Sequence, residues 1–265
     1  MTQTLPTYFI SHGGGPWPWV PQMREFFATL EASLKQMVAD HGEKPRAILM
    51  ISGHWEENDV GIMGAARPPM LYDYSGFPPH TYEITYPAPG APDVAARTLS
   101  LLQDAGIAAH IDPDRGFDHG LFAPMEVMYP QADVPIFQIS MLRSYDPADH
   151  IAIGRALRPL RDEGIMIIGS GLSFHNLSLM RGGGAAPSAD FDAWLYHAMM
   201  AAPDARRQAM IDWEKAPAAR ICHREEDHLV PIFVALGAAE NEPAERIYHH
   251  TSEMTGITVS NYKFG

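Results

Sequence analysis

The 265-residue chain contains one cysteine, Cys222, so no disulfide can form within it. That shortage fits a reducing compartment, and a cytoplasmic location is the expectation. Cys222 itself reads as an ordinary small residue, because no strand-turn-helix nucleophile signature surrounds it. Basic residues are also scarce: 19 Lys and Arg stand against 32 Asp and Glu, for a formal net charge of -13. A phosphate backbone calls for a basic face, so nucleic acid is excluded as an expected partner. No apolar run is long enough to span a bilayer, and the amino terminus lacks a basic segment followed by a long apolar core. Neither a membrane nor a secretory leader is therefore expected. A linker is missing too, and residues 1–265 read as a single domain. Gly13, Gly14 and Gly15 lack the Lys-Ser/Thr of a P-loop and the spacing of a dinucleotide fingerprint, which argues against a phosphate cradle.

What is present is a substantial apolar fraction, 46%, and thirteen histidines. Imidazole is both a common metal ligand and the side chain best suited to proton transfer near neutral pH. Several of these histidines follow apolar runs. Ala47, Ile48, Leu49, Met50 and Ile51 form a run without alternation, as expected of a strand covered on both faces, and Ser52, Gly53 and His54 end it. Thr7 to Ile10 ends in Ser11 and His12, and Ile165 to Ile168 passes through Gly169, Ser170 and Gly171 toward His175. Ligands of open α/β sheets bind outside the carboxyl ends of strands, so these histidines would converge if the three strands share one sheet.

Along the rest of the chain, strands and helices alternate. Helices are expected over residues 21–41, 93–106, 121–129, 148–163, 191–200 and 204–214, and further strands over 60–63, 108–111 and 134–141. One more helix would open near His228 and end near Gly237, with strands in 247–264 whose His249 and His250 read as strand residues rather than site residues. Residues 181–190 read as a mobile loop. The proline- and tyrosine-rich segment 68–92 reads as a stiff wall or lid, or as a loop packed on the domain. The expected class is α/β: a single domain with a central, mostly parallel or mixed sheet flanked by helices, and an active site at the carboxyl ends of strands.

A site containing His12, His54 and His228, with His175 and His119 nearby, holds more imidazole than a serine or cysteine triad needs. It suits a divalent metal such as iron or zinc, with positions left open for substrate and oxygen or water.

Six phrases occur in order: Ser-His-Gly-Gly-Gly-Pro from Ser11, Ser-Gly-His-Trp from Ser52, Gly-Phe-Pro-Pro from Gly76 with Tyr-Glu-Ile-Thr-Tyr-Pro-Ala-Pro-Gly from Tyr82, Gly-Phe-Asp-His-Gly from Gly116, Gly-Ser-Gly-Leu-Ser-Phe-His-Asn from Gly169, and Asp-His-Leu-Val-Pro from Asp227. Together they resemble the class III extradiol ring-cleavage dioxygenases of the 4,5-DOPA dioxygenase-like branch. The resemblance implies His12, His54 and His228 as metal ligands, and His175 as an acid/base that becomes a fourth ligand when zinc occupies the site. It implies His119 as a second catalytic histidine, Fe(II) as the cofactor with Zn(II) able to take its place, and a catechol plus O2 as substrates giving a ring-opened semialdehyde. Phe77, His80 and Tyr82 are the expected substrate contacts, with Arg143 as a further guess, and a homo-oligomer is compatible with the sequence. Better-known class III enzymes use a glutamate as third ligand, and Glu226 and Asp227 stand beside His228 here. Two rival readings remain at this stage. One is a zinc hydrolase on the same histidines with Glu226 or Asp227 as base, and the other is a non-catalytic metal-binding protein.

Overall fold

In the computed structural model, which describes residues 4–265, one eight-stranded sheet runs through the molecule. Its strands are β1 (Thr7–Ser11), β2 (Ala47–Glu57), β3 (Val60–Met63), β4 (Ala109–Asp112), β5 (Ile136–Leu142), β6 (Ile165–Gly171), β7 (Ala244–Thr251) and β8 (Thr258–Phe264), in the order β4-β3-β5-β2-β6-β1-β8-β7. The middle four, β5, β2, β6 and β1, are mutually parallel. They are the continuous apolar runs, and Ile48 through Ile51 are wholly excluded from solvent. β8 joins β1 antiparallel, and β3 joins β5 antiparallel, so the sheet is mixed and helices flank it in a single α/β domain.

Because the four central strands point the same way, their carboxyl ends share one edge. β1 ends at Ser11 and hands the chain to His12, β2 carries His54 in its last turns of pleat, and β6 ends at Gly171, four residues before His175. Gly171 also admits a close approach, since a Cβ there would fall 2.0 Å from the carbonyl oxygen of His228. Leu172 N–H donates to that same oxygen at 2.9 Å, which fastens the His228 turn to the end of β6.

Several element boundaries depart from the expected ones. The segment 21–41 is two helices, Pro21–Phe26 and Ala28–His41, interrupted at Phe27, whose ring meets Trp17 at 5.5 Å between centroids. The segment 148–163 likewise divides into Pro147–Leu157 and Pro159–Asp162, because Pro159 has no N–H with which to continue the ladder. Residues 181–190 are not all loop. A helix, Ala185–Met200, starts inside them, and Pro187 is tolerated in its first turn, where an N–H would have no helical partner. The helix expected to open at His228 opens at Pro231 and runs to Ala238. Residues before it form a turn in which Leu229 and Val230 both donate to the Glu226 carbonyl.

Candidate metal centre

Five histidines meet at the carboxyl edge of the central strands. Each is brought there by a different element: His12 by the end of β1, His54 by β2, His119 by the first turn of the helix His119–Met128, His175 by the loop after β6, and His228 by the turn before Pro231. Ring centroids of His12 and His54 lie 5.0 Å apart, those of His12 and His228 5.1 Å, and those of His54 and His228 4.8 Å. His119 stands 4.0 Å from His54 and 5.5 Å from His12, and His175 stacks on His228 at 3.5 Å. Two groups have donor atoms close enough to hold a metal ion. In His12, His54 and His119, and again in His175, Asp227 and His228, these atoms lie within 4.8 Å of one another. The four ligands expected from the sequence, His12, His54, His228 and His175, draw two members from each group.

Hydrogen bonds and close carboxylate contacts surround these rings. Ser170 donates its hydroxyl to the Gly120 carbonyl at 2.5 Å, so it receives a proton from His12 Nδ1 at 3.2 Å. The Nε2 of His12 is then unprotonated, and it faces Nε2 of His54 at 3.2 Å. Asp73 spans two rings, with one carboxylate oxygen 2.8 Å from His119 Nδ1 and the other 3.4 Å from His54 Nδ1, and it also accepts the His119 backbone N–H at 3.1 Å. On the other side Asp227 lies 2.8 Å from His228 Nδ1 and 3.4 Å from His175 Nδ1. At His12 and His119 a hydroxyl or carboxylate takes the outer nitrogen by a hydrogen bond, and at His54, His175 and His228 a carboxylate oxygen lies beside it, an arrangement that partners of metal-bound histidines adopt.

Electrostatics favour the same protonation states. Burial, then the neighbouring imidazoles, hold His12 and His54 well below the ordinary histidine value. Burial also lowers His228, although Asp227 opposes it. Burial tends to raise Asp227, but His175 and His228 outweigh it and keep the carboxyl far below its usual range. Neutral imidazoles are the form that binds metals. With the proton of each ring on Nδ1, the two Nε2 atoms 3.2 Å apart would have none to share, a repulsion that a cation between them relieves. The donor set therefore fits a divalent metal.

The histidines open into a cavity of about 350 Å³. Phe77 lines it, whereas His80 and Tyr82 do not. His80 is exposed and bonds the Trp19 carbonyl through Nε2 at 3.1 Å, while the Tyr82 hydroxyl accepts the Phe77 N–H at 3.4 Å. Arg143 also lies off the lining, 4.0 Å from Glu56. Glu226 is held by Arg220 in an ion pair. The segment 68–92 is built as an aromatic cluster of Tyr72, Tyr74, Phe77 and Tyr82, and it delivers Asp73 to the histidines.

Three participants escaped the sequence reading. Asp73 had no signal of its own in an irregular segment. Asp118 had one: it precedes a helix in Gly-Phe-Asp-His-Gly, and it caps that helix at Leu121 N while binding Ser52, Arg115 and Gln138. His250, expected to be only a strand residue, lines the cavity with Tyr248 and Ser252. Their period of two marks one face of β7 running on into its turn.

The family model described as the catalytic LigB subunit of aromatic ring-opening dioxygenase matches residues 7–265. The chain belongs to this family. Among LigB relatives, a 4,5-DOPA dioxygenase extradiol of Beta vulgaris is 38% identical over 97% of this chain and 96% of its own length. The dioxygenase tasH of Hapsidospora irregularis is 37% identical over 98% of this chain and 85% of its own. The crystal structure of an uncharacterized protein from Escherichia coli K12 superposes with a TM-score of 0.79 at 26% identity, covering 98% of this chain and 100% of that one. As a LigB-family protein, the chain is an extradiol aromatic ring-opening dioxygenase.

Proposed function

We propose that this dioxygenase cleaves the ring of a catechol with O2 at a non-haem Fe(II) centre, giving a ring-opened semialdehyde. The observation that carries the reading is the pair of inward-facing Nε2 atoms of His12 and His54, 3.2 Å apart and opening on a cavity. His12, His54 and His228 would hold the metal. Bound Fe(II) supplies a redox path between a catecholate and dioxygen that zinc lacks.

The protein's own groups manage protons and position. His175, with Asp227 beside its Nδ1, presents Nε2 as a base for a phenolic proton of the diol. His119, its Nδ1–H held by Asp73, presents Nε2 on the opposite flank, where it can hydrogen-bond the reacting oxygen and return a proton. Phe77 provides a flat apolar contact, and Tyr82 and His80 hold the segment that carries it. Zn(II) in the same donors, with His175 as a fourth, would give a resting, redox-inert form.

Reconstituting metal-free protein anaerobically with Fe(II) or Zn(II), then admitting oxygen with a catechol panel, tests this. Oxygen uptake with iron and none with zinc is expected. Absence of uptake with iron for every catechol would overturn the proposal.

A further inference from the structure

The cavity lining has two chemistries. The strand ends contribute histidines, and the remainder is mainly apolar, drawn from the helices Pro21–Phe26 and Ala28–His41, the loop after β6 and the β7–β8 region, with Ser252, Thr255 and His250 as its polar members on that side. Among the described residues, no Lys, Arg, Asp or Glu lines it. Arg24, next to the lining residue Met23, is bound through two nitrogens to Glu31 at 2.8 and 2.7 Å. Tyr248 spends its hydroxyl on Thr29 at 2.9 Å, and the other polar groups on that side are the hydroxyls of Ser252 and Thr255 and the imidazole of His250. A volume of about 350 Å³ exceeds what a bare catechol ring needs, so a ring seated on the histidines leaves room for a substituent against the apolar part.

Resting on the ring-cleavage reading above, we propose that the substrate is a catechol with an uncharged, apolar substituent, recognised by Met23, Phe26, Phe27, Leu177, Met180 and Ile257. A carboxylate or ammonium placed against Met23, Phe26, Phe27 and Met180 would lose water without gaining an ion-pair partner from a Lys, Arg, Asp or Glu of the lining, whereas an alkyl or aryl group gains burial. The wall thus selects against amino-acid catechols, although several relatives are named for 4,5-DOPA.

Anaerobic calorimetry on the iron-loaded protein compares 4-butylcatechol with 3,4-dihydroxyphenylalanine. The alkyl catechol should bind more tightly by over about tenfold. Leu177 is 71% exposed, so Leu177→Arg should fold and should narrow that ratio by offering the carboxylate a cation. Equal or tighter binding of the amino-acid catechol by the unaltered protein overturns the inference. Oxygen uptake, recorded separately, judges ring cleavage: calorimetry decides the substituent preference even if no catechol is turned over.

Discussion

Asp73 serves two histidines at once, as Asp227 does on the other side, since its two oxygens reach His54 and His119. Asp73→Asn keeps the shape but replaces one acceptor by a donor, so it should weaken metal binding by about 10- to 100-fold. Competition with a chromophoric chelator reads this directly. His175 is a different case, because the proposed ligands His12, His54 and His228 remain when it is removed. His175→Ala should retain iron stoichiometry while kcat falls by roughly 10²- to 10⁴-fold. An unchanged kcat would remove His175 from proton transfer. His12→Ala, in contrast, should abolish iron retention along with turnover, which metal analysis after gel filtration would show.

At the scale of elements, the site depends on how closely the His228 turn lies on β6. Gly171→Ala would set a Cβ 2.0 Å from the His228 carbonyl oxygen, and both partners are backbone, so neither can swing aside. The turn must move, at a cost of about 1–3 kcal/mol or more in stability and with loss of metal affinity. Thermal unfolding and metal titration of the variant check both. Gly42→Ala is a useful contrast, because nothing lies within 4 Å of its Cβ position and only backbone strain at φ +82° is added. It should leave metal affinity unchanged.

The molecule as a whole should lose stability in acid, and the cause is buried histidine. His150 accepts the Leu142 N–H through Nε2 at 3.0 Å and donates Nδ1–H to the Asp146 carbonyl, an arrangement only the neutral ring can make. Burial holds His150 below the ordinary 6.5 and His223 down at about 3. Both bind fewer protons folded than unfolded. Their stabilisation is therefore complete above the unfolded value of 6.5 and declines as pH falls from there toward the folded values, by up to ~1.4 kcal/mol per pH unit for each group. Urea midpoints measured from pH 7 to pH 4 should show the decline, and His150→Gln should make it shallower while the His223 contribution remains.

The same global view explains what could be read in advance. Strands β1, β2 and β6 were legible because parallel strands buried on both faces are continuous apolar runs, and the histidines that follow them converge because the strands are parallel neighbours. The helix that opens at Pro231 reads from sequence as opening near His228 because Glu225, Glu226 and Asp227 resemble the acidic start of a helix, whereas Glu226 belongs to a separate turn in which its carbonyl accepts from Leu229 and Val230. Asp73 was illegible because only the packing of Tyr72, Tyr74, Phe77 and Tyr82 places it. Likewise His80 and Tyr82 looked like cavity residues until the segment folded around Phe77.

The most direct test of ring cleavage is stoichiometric: consumption of O2 and catechol by the iron-loaded protein, with the mass of the product. The account predicts one O2 taken up per catechol and a product whose mass is that of the catechol plus both oxygen atoms. A product that gains a single oxygen atom or a water, or one formed without oxygen consumption, would contradict it.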